Sequence, residues 1–187
     1  MALVPFPKPY ADFVARLRVP FGFLLVAAFA WLATPSPRSL AVGVPVSALG
    51  LWLRAWAAGH LEKNRRLATT GPYAWLRNPL YLGTLLVAAG LVLAARQWSL
   101  AILFALVFLG VYLPVIGLEE QHLRKLFPEY EPYARRVAAL LPKPPARGSA
   151  GRFRFALYRK NEEYQALLGF LAGLAWLIWQ AWRNRLS

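Results

Sequence analysis

The chain of 187 residues contains no cysteine, only two histidines, one methionine and eight acidic residues. Without cysteine there is no disulfide, no thiolate nucleophile and no zinc–thiolate site. A metal centre would have to combine His60 and His122 with scarce carboxylates, so none is expected. Charge of either sign is thin, at 16% of residues, where soluble domains carry about a quarter. Apolar residues take its place, at 58% with a mean hydropathy of +0.40. They gather in runs over 20–33, 40–58, 79–95, 98–118 and 164–182. None alternates as a strand would, and in lipid only a helix satisfies its own backbone within one segment. The reading is an all-α polytopic transmembrane helix bundle of about five spans. The first run is short, and an interfacial or re-entrant position is open to it. Basic residues precede it as in a signal peptide, but no convincing cleavage site follows.

The formal charge of +14 would suit a nucleic acid if it formed one basic face. It sorts by loop instead. Lys8, Arg16 and Arg18 precede the first run; Lys63, Arg65, Arg66 and Arg77 lie between the second and third. Ten more fall from Arg124 to Lys160, whereas the intervening loops hold only Arg38 and Arg96. This alternation is the positive-inside pattern, and it puts the N-terminus and the two basic loops in the cytoplasm. Arg183 and Arg185 run against it. Anionic headgroups account for the surplus charge, so membrane lipids are expected partners and nucleic acid is not.

The chain reads as one membrane domain: a lead-in and two spans over 1–66, a polar-motif core over 67–142, and a linker with the last span over 143–187. Gly59 should end the second helix and Gly71-Pro72 should turn the chain. Pro79 suits a first helical turn, while Pro114 should kink the fourth helix just ahead of Glu119. The breaker-rich stretch 143–152 reads as a mobile linker. Gly169 and Gly173 allow close helix approach, with packing inside the bundle favoured over a homodimer.

Two polar clusters flank the third and fourth runs. The first is Gly71-Pro72-Tyr73 with Arg77-Asn78-Pro79, Tyr81 and Gly83; the second is Glu119-Glu120 with Leu123, Phe127, Tyr130 and Tyr133. At 1.5 Å per residue the runs are about 25 and 31 Å long, enough to cross a bilayer core with modest tilt. A hairpin of two crossings returns both clusters to one membrane face. There Glu119 and Glu120 can accept hydrogen bonds from an ammonium, and Arg77 can pair with a carboxylate. Tyr73 and Tyr81 can face a purine or a sulfonium, and Gly71 and Gly83 permit close approach to the backbone. S-adenosylmethionine combines all these groups. The same side chains would equally serve as ion pairs and an aromatic belt at a bilayer edge.

The ordered residues Thr70-Gly71-Pro72-Tyr73, Arg77-Asn78-Pro79-Leu80-Tyr81-Leu82-Gly83, Glu119-Glu120 and Leu141-Pro142 resemble the isoprenylcysteine carboxyl methyltransferase family, which overlaps in pattern with the phospholipid N-methyltransferases. The resemblance covers 67–142. It implies an integral-membrane enzyme using S-adenosylmethionine without a Rossmann domain, its cofactor pocket at the cytoplasmic end of helices three and four. Carried over, Gly71, Tyr73, Arg77, Asn78, Tyr81, Gly83, Glu119 and Glu120 are cofactor-binding candidates. Asn78 stands where the family usually has histidine, so it can donate a hydrogen bond but cannot carry a proton.

Methyl transfer needs alignment of donor and acceptor and exclusion of water. A carboxylate acceptor needs no base, whereas an amine must lose a proton, for which Glu120 is the candidate. The expected acceptor is a lipophilic isoprenoid, prenylated or phospholipid-like molecule. Arg54 and Arg136 are further candidates, for holding the acceptor, against plain lipid contact. Two other functions compete: an NADPH-dependent membrane reductase of a sterol-like or isoprenoid-like substrate, and a non-catalytic membrane scaffold.

Overall fold

The computed structural model describes residues 7–144 and 151–186, so most of the stretch read as a linker lies outside them. Among the described residues the regular structure is helical. Helix α1 spans Lys8–Leu32, α2 Pro37–Ala58 and α3 Pro79–Ala95. Helix α4, Trp98–Leu126, is continuous through a π-helical turn at Phe108–Tyr112. Short helices α5, Tyr130–Arg136, and α6, Phe155–Lys160, precede the final α7, Tyr164–Leu186.

By length and composition α2, α4 and α7 can cross a membrane, and α1 makes a fourth span if its two halves, bent by 48°, count as one. Helix α3 is shorter, at 17 residues, or about 25 Å. The bundle exposes what a soluble protein hides: Phe23, Ile102, Leu106 and Trp182 are all more than 60% exposed, as lipid-facing side chains are. Trp31 and Trp98 are the most exposed tryptophans, at 87% and 84%. They share one end of the bundle, because the N–H of Thr34 donates to Ala95 O at 2.9 Å. That is where an aromatic belt belongs.

Helix α1 begins well before its apolar run and carries Val14 against Val107 and Val111 of α4. The expected kink at Pro114 takes a specific form. Proline clashes with the carbonyl four residues earlier, that of Gly110. The π turn absorbs the clash, and the Tyr10 hydroxyl of α1 donates to the Gly110 carbonyl at 2.7 Å.

Backbone contact between α2 and α3 forms the tightest seam. A Cβ placed on Gly43 would lie 2.3 Å from Gly90 O, one on Gly50 2.6 Å from Gly83 O, and one on Gly90 2.3 Å from Ser47 Oγ. Small residues therefore let these helices touch, as the sequence reading expected of the last span. Gly169 and Gly173 face open space instead, with nothing within 4 Å of a built Cβ; the packing expected of them inside the bundle does not occur. The two-residue link between α3 and α4 turns at Arg96, which adopts φ +57°.

Candidate functional site

Gly71 makes the turn ahead of α3 with φ +59°, and a Cβ there would sit 2.7 Å from the His60 ring. The 3₁₀ turn Gly71–Ala74 that follows buries Pro72, Tyr73 and Ala74. Residues 75–78 then run beside the chain leaving α5. The N–H groups of Arg77 and Asn78 donate to Ala138 O at 2.8 Å and Ala139 O at 3.2 Å, and that of Lys143 donates to Trp75 O at 2.9 Å. This pairing fixes the start of α3 against the segment beyond α4.

The two motifs meet there in a buried knot. Arg77 Nε donates to Glu120 Oε1 at 2.9 Å and Nη2 donates to Oε2 at 3.1 Å. Nη1 donates to the Ala134 and Val137 carbonyls at 2.9 and 2.8 Å, at the end of α5 where carbonyls lack helical partners. Four of the guanidinium's five N–H groups are thus used within the protein. Asn78 Nδ2 adds donations to Glu120 Oε1 at 3.1 Å and Ala139 O at 3.2 Å. The side chains of Arg77 and Glu120 are 2% and 6% exposed. Desolvation opposes the charge on Arg77, but hydrogen bonding and attraction from Glu120 outweigh it and raise its pKa.

Three tyrosines enclose the knot. The Tyr133 hydroxyl donates to Tyr73 O at 2.7 Å, and the Tyr130 hydroxyl is buried near Glu120. Burial pushes the pKa of all three phenols up.

A cavity of about 400 Å³ opens beside the knot, within the usual range for ligand sites. Tyr73, Arg77, Asn78 and Tyr81 of the first motif line it, as does Glu119 of the second. The Tyr81 hydroxyl donates to Glu119 Oε2 at 2.9 Å, so an exposed carboxylate is aimed from the cavity wall. Glu120 is not in the lining; it lies behind Arg77 and Asn78. The expected grip, with Arg77 on a ligand carboxylate and Glu120 on its ammonium, gives way to a bond between the two side chains.

Four other candidates also stand outside the cavity. Gly71 serves the turn and Gly83 the α2–α3 seam, where a Cβ would lie 2.5 Å from Arg54 Cγ. Arg54 pairs with Glu163 and donates to Thr84 Oγ1 and Leu80 O. Arg136 is exposed, its Nε donating to Pro132 O at 3.2 Å. Conversely His122, Lys63 and Arg66 line the cavity, and none of them was among the sequence-derived site candidates. His122 was findable: three residues past Glu119, it shares that residue's helix face.

The phospholipid methyltransferase family matches residues 17–130, well over half the chain. The nickel-cobalt-cadmium resistance protein NccN of Alcaligenes xylosoxydans xylosoxydans is 29% identical over 92% of this chain and 82% of its own length. The cobalt-zinc-cadmium resistance protein CzcN of Cupriavidus metallidurans is 37% identical over 58% of this chain and 51% of its own. The protein-S-isoprenylcysteine O-methyltransferase of Schizosaccharomyces pombe is 27% identical over 72% of this chain and 59% of its own. No solved structure matches the chain. With both motifs inside or just beyond the matched span and gathered at one cavity, the chain belongs to the phospholipid methyltransferase family of membrane proteins.

Proposed function

We propose that the chain transfers a methyl group from S-adenosylmethionine to a carboxylate or amine of a lipophilic acceptor in the membrane. The observation carrying this reading is the cavity of about 400 Å³ that side chains of both motifs line together. Its chemistry suits the donor. Glu119 offers a carboxylate to an ammonium group, and Tyr81 and Tyr73 offer aromatic faces to a purine or a cationic sulfur. The Tyr130 ring adds a third aromatic wall. The bound donor brings a methyl carbon already activated by its sulfonium.

The chain's own residues orient and exclude water. The Arg77–Glu120–Asn78 knot fixes the backbone from which Tyr81 and Glu119 project, so positioning falls to a preformed frame. For an amine acceptor a base must take a proton. Glu120 has three donors on its two oxygens, which takes it out of that role. The basic loops favour a cytoplasmic position for the knot, the cavity and the N-terminus. Lipophilic acceptors are favoured because the family is named for phospholipids and the fission yeast relative for isoprenylcysteine. Two relatives are named for metal resistance. The reading rests on the family match and on the shared cavity.

The test is transfer of label from methyl-labelled S-adenosylmethionine into the organic extract of membranes containing the chain. Label should appear in the extract and fall sharply with Glu119→Gln. Label confined to the aqueous phase would overturn the lipophilic acceptor.

A further inference from the structure

Arg66, Leu67 and Ala68 also form one wall of a second cavity, of about 270 Å³. Its other walls come from His60, Thr69 and Thr70 of the α2–α3 connector and from Arg152 and Arg154 ahead of α6. These last residues lie beyond the family-matched span. The two walls are fastened together. Arg154 N–H donates to Gly59 O at 3.0 Å, the Arg154 side chain pairs with Glu62, and the His60 ring nitrogens lie 2.9 Å from Trp56 O and 3.2 Å from Gly151 O. Gly151 packs so closely that a Cβ would be 2.4 Å from Thr70 Oγ1.

Three arginines face one carboxylate in this space, and Glu62 is occupied by Arg154. The guanidinium groups of Arg66 and Arg152 have no hydrogen-bond or ion-pair partner among the described residues. Two unpaired planar forks beside threonine hydroxyls match the several oxygens of a phosphate better than one carboxylate. The site also lies just past Gly59, which ends a membrane-length helix, at the depth of lipid headgroups.

We propose that this second cavity is a phosphate-binding site, filled by the phosphate of an anionic lipid headgroup or by a free phosphate. A phosphate held there bridges Arg66 on the connector and Arg152 on the C-terminal segment. It thereby braces the wall that the first cavity shares.

The test titrates the full chain in neutral detergent and follows its thermal midpoint, with no methyl donor present, so the outcome is independent of the methyl-transfer reading. Short-chain phosphatidylglycerol should raise the midpoint saturably, and diacylglycerol of the same chain length should not. The double variant Arg66→Gln/Arg152→Gln should weaken the apparent affinity by about ten-fold or more. Glu62→Gln, which frees Arg154, should strengthen it several-fold. An equal response to inorganic phosphate alone would support the site and assign it to the free anion. Two results would overturn it: no saturable response to either phosphate source, or a double variant that binds as tightly as the unmodified chain.

Discussion

Arg77, Glu120 and Asn78 act as one unit at the residue scale, because each buried polar group is the other's partner. Arg77→Ala strands a buried carboxylate, and breaking such a pair costs about 3–5 kcal/mol. A large fall in thermal midpoint is therefore expected. Glu119 is exposed in the cavity, so Glu119→Gln should keep the midpoint and weaken S-adenosylmethionine binding by about 1–3 kcal/mol in a calorimetric titration. A midpoint unchanged by Arg77→Ala would refute the knot. The phenols give a second residue-scale prediction. Tyr73, Tyr130 and Tyr133 have pKa values raised by burial. Their contribution to stability is complete below the unfolded value of 10.0 and is lost as pH climbs through the higher folded values. In an ultraviolet phenolate titration they should ionise only as the chain unfolds. The sequence showed that arginine and glutamates share a membrane face, since hairpin length decides that. It did not show that Arg77 bonds Glu120 and spares Glu119. Neighbouring helical residues point about 100° apart, and only packing settles which one turns inward.

For the helices, legibility followed the strength of the physical constraint. Lipid forces long apolar runs on spanning segments, so α2, α3 and α7 were readable within a few residues of their observed bounds, whereas α4 runs on past its apolar stretch to Leu126. The part of α1 ahead of residue 20 was not readable, because Pro7, Pro9 and interspersed charge obscure a helix held by Val14 against α4. The close seam was also assigned to the wrong helix. Gly43, Gly50, Gly83 and Gly90 recur at seven-residue spacing in two separate runs, and that pairing shows only when the runs are laid together. Gly90→Leu should force α2 and α3 apart against Ser47 and Gly43. Overpacking of this kind costs about 1–3 kcal/mol, to be read as a lower thermal midpoint. Gly169→Leu, which meets open space, should leave the midpoint unchanged. Equal effects from the two substitutions would contradict this assignment of the seam.

As a whole molecule, the chain is an apolar bundle whose polar chemistry gathers at one end, with Trp31 and Trp98 at the other. Its lack of cysteine makes the topology directly measurable through single introduced thiols. A membrane-impermeant maleimide on intact cells should label Arg38→Cys and spare Glu129→Cys until the membrane is opened; the reverse pattern would invert the bundle. Everything functional in this account depends on the shared cavity receiving a methyl donor. Equilibrium binding of S-adenosylmethionine to the purified chain, with NADPH titrated alongside, tests that most directly. S-adenosylmethionine should bind saturably and more weakly to Glu119→Gln, and NADPH should not bind; binding of NADPH alone, or a donor affinity indifferent to Glu119, would refute the cavity as a methyl-donor site.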